Sequence, residues 1–127
     1  MISSKSSALI IKSGSVFLLS QINANLIKCT STLCYGGALA IFDSHGTIDN
    51  SSFTSNSCES NGGAIGIANL SGDTFITSTN ITMNAAHSGY GGGISYITDL
   101  TASTLYINAS KIMENSATCG GGIYLEI

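Results

Sequence analysis

Phe53-Thr54-Ser55-Asn56-Ser57-Cys58-Glu59-Ser60-Asn61-Gly62-Gly63-Ala64-Ile65 joins two short motifs: an apolar residue followed three positions later by Asn, and a double glycine running into Ala-Ile. Both recur along the chain. The glycine motif stands at Gly36-Gly37-Ala38-Leu39, Gly62-Gly63-Ala64-Ile65, Gly91-Gly92-Gly93-Ile94 and Gly120-Gly121-Gly122-Ile123, with starts 26, 29 and 29 positions apart. Ser6-Ser7-Ala8-Leu9 opens a degenerate copy 30 positions upstream of Gly36. The Asn motif recurs as Ile81-x-x-Asn84 and Ile112-x-x-Asn115, its apolar residue 8 to 10 positions before the next double glycine. In the first period two alignments compete, Ile22-x-x-Asn25 and Leu26-x-x-Cys29, and one of them implies a local insertion. A fixed period in this range is the mark of stacked supersecondary units, none of which can bury its apolar face alone.

Each double glycine, and the degenerate first copy, is followed by period-2 alternation: Leu9 and Ile11, Leu39 and Ile41, Ile65 and Ile67, Ile94 and Tyr96, Ile123 and Leu125. Such alternation means strand. A turn rich in Gly, Asp, Asn and Ser intervenes, then a second β-rich run with Val16, Ile48, Phe75 and Leu105, expected to stack as one interior column. A third strand carries Phe53, Ile81 and Ile112. No window shows sustained 3.6-residue periodicity, and 15 Gly with abundant Ser and Thr penalise helix. The glycines have a structural reason, since each coil must turn sharply into its first strand and only Gly takes positive φ or a close backbone approach without cost. Asn56, Asn84 and Asn115 recur at turns, where amides one coil apart can form a hydrogen-bonded ladder.

Tandem repeats joining Gly-Gly-Ala-Ile to Phe-x-x-Asn resemble those of the chlamydial polymorphic outer membrane proteins and of related surface proteins. The stretch from Phe53 to Ile65 is the nearest to ideal, and the resemblance covers residues 6–127. It implies a right-handed, single-stranded parallel β-helix in a family of surface-exposed adhesins and autotransporter passengers. It carries no catalytic residue. The chain differs in showing neither a secretion signal nor a C-terminal membrane barrel.

The fold expected is thus all-β: a parallel β-helix of about four to five coils of 26–30 residues, three short strands per coil, forming one repeat domain over residues 1–127. At about 4.8 Å between strands, that stack is only about 20 Å long. The final Gly122-Ile123-Tyr124-Leu125-Glu126-Ile127 stops within a first strand with no cap of the kind terminal repeats need. A segment of a longer solenoid is the expectation, with end-to-end self-association as the alternative.

Four Lys, no Arg and seven acidic residues give a net charge of −3, which supplies no basic footprint for nucleic acid. No run of 18 apolar residues offers a membrane-spanning helix. Ser and Thr make up about a quarter of the chain, a polar and nearly uncharged surface typical of extracellular β-solenoids. Asn-x-Ser/Thr sequons stand at Asn50, Asn69, Asn80 and Asn108. Three of them, Asn50, Asn80 and Asn108, precede a double glycine by 11 or 12 positions, which places candidate glycans along one face.

Cys29, Cys34, Cys58 and Cys119 match no zinc spacing. All lie in the turn region between third and first strands, where they are either disulfide partners in an exported protein or small buried hydrophobes in a reduced one. Cys58 and either Cys29 or Cys34 occupy equivalent turns of neighbouring coils, whereas Cys119 lies two coils further on and is expected free or linked to another molecule. Many β-helices act on polysaccharides with carboxylates set beside Arg or Lys, but here Asp43, Asp49, Glu59, Asp73, Asp99, Glu114 and Glu126 are scattered and Arg is absent. Asp43 and Asp73 both follow a first strand in successive coils, where a carboxylate pair would suit acid–base work or calcium binding, and turn-forming Asp is the favoured account. His45 and His87 read as separate surface residues. A Thr-rich ice- or crystal-binding face through Thr74, Thr77, Thr79, Thr101 and Thr104 lacks a fixed coil position. The reading is a noncatalytic structural or adhesive repeat module at a cell surface or outside the cell, needing no cofactor and no metal. Its expected partners are further coils, a second copy, or a host-surface protein or glycan. The alternative is a fragment of a polysaccharide-active β-helix whose catalytic coils lie elsewhere.

Overall fold

The computed structural model describes residues 2–4, 7–99 and 103–127. Ser6 of the degenerate first copy and Thr101 of the Thr-rich set lie outside the described residues. Among the described residues there is no helix, and all strand pairing is parallel. The chain winds into a parallel β-solenoid of about four turns with three sheets.

The first strands are β2 (Leu9–Ile11), the leading half of β6 (Leu39–Asp49), β9 (Ile65–Leu70), β13 (Ile94–Ile97) and β16 (Ile123–Glu126). Second strands are β3 (Val16–Ser20), the trailing half of β6, β10 (Thr74–Thr77) and β14 (Leu105–Asn108). Because β6 runs through the corner unbroken, these two sets form one bent eight-stranded sheet. Third strands β4 (Asn23–Asn25), β7 (Ser52–Thr54), β11 (Asn80–Thr82) and β15 (Lys111–Met113) make a separate four-stranded sheet. The region between third and first strands, expected as turn, carries a further short sheet of β1 (Ile2–Ser4), β5 (Ile27–Cys29), β8 (Ser57–Cys58) and β12 (Ala85–Ala86).

The glycine repeats stack in register. Leu9, Leu39, Ile65, Ile94 and Ile123 pair successively, as do Ile11, Ile41, Ile67, Tyr96 and Leu125. The two glycines of each pair do different work. The first holds positive φ, from 62° at Gly120 to 80° at Gly36. The second lies flat against the next coil: a Cβ on Gly63 would meet the Ala85 backbone nitrogen at 2.6 Å.

The second-strand column differs from expectation. Ile48 pairs with Leu19 on one side and Ile76 on the other, and Ile76 with Ile107. Ile48 and Ile76 are fully buried, whereas Val16 is 75% and Phe75 40% exposed. Leu105 packs against the core but pairs with Thr74. These strands begin on either an inward or an outward residue, and a one-residue slip exchanges the faces. In the third strands the register is Ala24, Phe53, Ile81, Ile112. The first period therefore follows neither expected alignment: its motif is Ala24-x-x-Ile27. The insertion falls later. Cys29 pairs with Cys58 and Tyr35 with Asn61, so six positions in the first coil span what three span in the second.

Candidate functional site

The recurring Asn side chains form a continuous ladder, with Asn56 and Asn84 fully buried and Asn115 half-buried. Asn56 Nδ2 donates to Asn84 Oδ1 at 3.1 Å, and Asn84 Nδ2 to Asn115 Oδ1 at 3.0 Å. The same oxygens accept the backbone N–H groups of Asn56 and Asn84, at 2.8 and 2.9 Å. Each Nδ2 also reaches the carbonyl of the apolar motif residue one coil back: Asn56 to Ala24, Asn84 to Phe53 and Asn115 to Ile81, at 3.0, 2.9 and 2.8 Å. These amides are therefore structural. Leu26, Ser55, Met83 and Glu114, the residues just before the ladder column, all take left-handed φ of 56° or 57°. That conformation costs an L-residue about 1–2 kcal/mol, which the ladder bonds offset.

A second ladder, not foreseen in the sequence, stands at the corner between second and third strands. Ile22 N–H donates to Ser51 Oγ at 3.1 Å, Ser51 N–H to Thr79 Oγ1 at 3.4 Å, and Thr79 N–H to Ser110 Oγ at 3.1 Å. Each hydroxyl donates to the carbonyl two positions earlier, on Asp49, Thr77 and Asn108. Its signal in the sequence is a Ser or Thr two positions before each inward third-strand residue: Ser51 before Phe53, Thr79 before Ile81 and Ser110 before Ile112. In the first coil both ladder positions are Ile, Ile22 and Ile27.

With these side chains used in coil building, chemistry is left to the outer faces. The third-strand sheet presents Asn23, Ser52, Asn80 and Lys111 in one column and Asn25, Thr54, Thr82 and Met113 in the next. A shallow groove of about 280 Å³ runs across it, lined by Ser52, Asn80, Thr82, Lys111 and Glu114 among others. The second-strand sheet presents Leu18, Thr47, Phe75 and Tyr106, with Phe75 and Tyr106 stacked at a centroid distance of 4.8 Å. Thr74 and Thr79, by contrast, are fully buried, which removes them from any Thr-rich outer face.

Asn50, Asn80 and Asn108 are exposed and cluster at the corner between second and third strands, but in three different columns: Asn108 pairs with Thr77 and Asn80 with Ser52, while Asn50 occupies the turn itself. Asn69 lies at another corner, with Oδ1 accepting from Asp99 N–H at 3.1 Å. Asp43 sits at that corner in left-handed φ, whereas Asp73 accepts from Thr104 N–H at 3.0 Å. Among the described residues no three His, Cys, Asp or Glu side chains are placed to hold a metal. His87 is exposed, and His45 Nδ1 lies 2.9 Å from Ser71 Oγ.

Cys29 and Cys34 form a disulfide inside one coil, with Cα atoms 6.2 Å apart. Cys58 stays a thiol and packs against both in a separate buried cluster. Burial pushes its thiol up to about 11. Cys119 is exposed and pairs with Tyr90, in a column other than that of Cys58.

Residues 50–68 match the Chlamydia polymorphic membrane protein (Chlamydia_PMP) repeat. No match was found among curated proteins or among solved structures. The matched segment runs from the Asn50 corner through the third strand with Phe53, the ladder residue Asn56 and the Gly62-Gly63 turn into β9. It thus takes in both interleaved motifs and the corner that joins them. The segment similar to the Chlamydia polymorphic membrane protein repeat, residues 50–68, is thus part of one turn of a parallel β-solenoid consistent with repeats of that type.

Proposed function

We propose that this chain is a noncatalytic module of a surface protein, in which the solenoid holds out adhesive faces. One observation carries the reading: the repeated motif residues Phe53, Asn56, Ile81 and Asn84 are all buried to 1% exposure or less, so recurrence serves the stack and contact falls to the outward columns. The third-strand face, a flat array of amides and hydroxyls without a deep cleft, suits a host-surface protein or glycan better than a small substrate. The matched repeat is named for membrane proteins, which supports a place at the cell surface.

The adhesive reading is tested by binding the folded chain to mammalian cells and to a glycan array, beside a Ser52→Lys, Asn80→Lys, Thr82→Lys variant. Binding by the native chain and its loss in the variant is the expected result. A native chain that binds no more than an unrelated β-solenoid overturns adhesion and leaves a spacer role.

A further inference from the structure

Three of the four cysteines meet at one place outside the proposed contact faces. Cys29 ends β5 and Cys58 ends β8, and the two are register partners in adjacent rungs. Cys34 returns to them at the end of the inserted loop. All three are 3% exposed or less. Cys58 Sγ donates to the Cys34 carbonyl oxygen at 3.3 Å. A free thiol is thus packed in a buried cluster with a disulfide whose one half, Cys29, is its own register partner in the adjacent strand.

We propose that Cys58 is a resolving thiol for the Cys29–Cys34 disulfide, so that the cluster exchanges between a bond that closes the loop and a bond, Cys29–Cys58, that staples the first coil to the second. The exchange is balanced within the protein. Cys58 loses its proton, its thiolate attacks Cys29 Sγ, the Cys29–Cys58 bond forms as the Cys29–Cys34 bond breaks, and Cys34 leaves as a thiolate that takes up a proton. No external oxidant or reductant is consumed. Adjacent rungs lie about 4.8 Å apart, inside the Cα separation of about 4.4–6.8 Å that a disulfide spans. Thiolate attack on a disulfide sulfur is the general route of such rearrangement. The raised Cys58 pKa keeps the attack slow, and the loop-closing bond is the resting one. In the alternative state residues 30–34 are released at the solenoid edge while two coils become covalently joined. The new bond encloses a whole coil, from Cys29 to Cys58, in place of the short loop from Cys29 to Cys34, and so constrains the unfolded chain more.

The test is differential alkylation of the folded, oxidised wild-type chain after prolonged incubation, followed by nonreducing peptide mapping. Expected is a Cys29–Cys58 linked peptide with Cys34 alkylated, in at least about one chain in a hundred, the range of a minor conformer. Cys58→Ala should abolish Cys34 labelling. In Cys34→Ser, mild oxidation should join Cys29 to Cys58 and leave only Cys119 labelled. Label confined to Cys58 and Cys119 in the wild type overturns the proposal whatever the variants do, and so does an oxidised, folded Cys34→Ser chain in which Cys29 and Cys58 both remain reactive.

Discussion

Asn84 Nδ2 donates to the backbone oxygen of Phe53 at 2.9 Å, linking positions that lie 31 apart in the chain. The two ends of the Phe-x-x-Asn motif therefore meet between coils rather than within one. Each Asn completes the strand of the coil before it, which makes the motif a rule for stacking.

Replacing Asn84 with Leu removes the acceptor for two Asn56 donors and the donor for Phe53. Each stranded buried group costs about 1–3 kcal/mol. The variant should unfold at clearly lower urea than Ser20→Ala, which alters an exposed strand residue. Equal midpoints would remove the ladder as a source of stability.

Two glycines in different surroundings, Gly14 outside the double-glycine pairs and Gly63 within one, should respond unequally to Ala. Gly14 has positive φ of 77° and nothing within 4 Å of an added methyl group, so Gly14→Ala carries only the backbone term, about 1–2 kcal/mol. Gly63 meets fixed backbone of the next coil, and overpacking of this kind costs about 1–3 kcal/mol, occasionally more. Thermal unfolding of the two variants side by side should show the larger loss for Gly63→Ala, and a reversed order would refute the close-approach account.

The second-strand register makes a sharp contrast between neighbours. Ile76→Ser opens the core and should cost about 2–5 kcal/mol, the range for deleting a large buried aliphatic. Phe75→Ser removes an outward ring and should cost much less, by denaturant titration. Should Phe75→Ser prove the more damaging, the inward column is Phe75 after all.

Burial raises the Tyr35 hydroxyl above its usual value of 10.0, and the same hydroxyl donates to the Ile67 carbonyl at 3.2 Å. A raised acid keeps its proton in the folded state while the unfolded state loses it. The stabilisation from Tyr35 is therefore fully present below about pH 10 and falls as pH rises through the folded value. In urea titrations the stability gap between wild type and Tyr35→Phe should narrow above that pH, and a gap that stays constant through about pH 11 would contradict the shift.

Much of this was legible in the residues themselves. Spacing of the double glycines set the coil length, alternation after them set the first strands, and the Asn recurrence located the ladder, because all three are local patterns that repeat. Ile76 shows what was not legible: Phe75 and Ile76 are both apolar neighbours in a short strand, and only pairing with Ile48 decides which faces inward. Ser51 and Thr79 were hidden for a related reason, since a hydroxyl at a turn reads as surface until the next coil is laid against it. Cys58 had two candidate partners in equivalent turns of the neighbouring coil, Cys29 and Cys34, yet those two bond to each other and Cys58 stays a thiol. The Cys29–Cys34 bond depends on how the inserted loop folds back, a tertiary outcome that no spacing rule contains. The sequence by itself determined the repeat and its coil-building residues, because one-dimensional periodicity is carried by the chain. Which way each strand's side chains point, and which cysteines touch, was decided only when coils stacked, because those choices depend on contacts between residues a full coil apart.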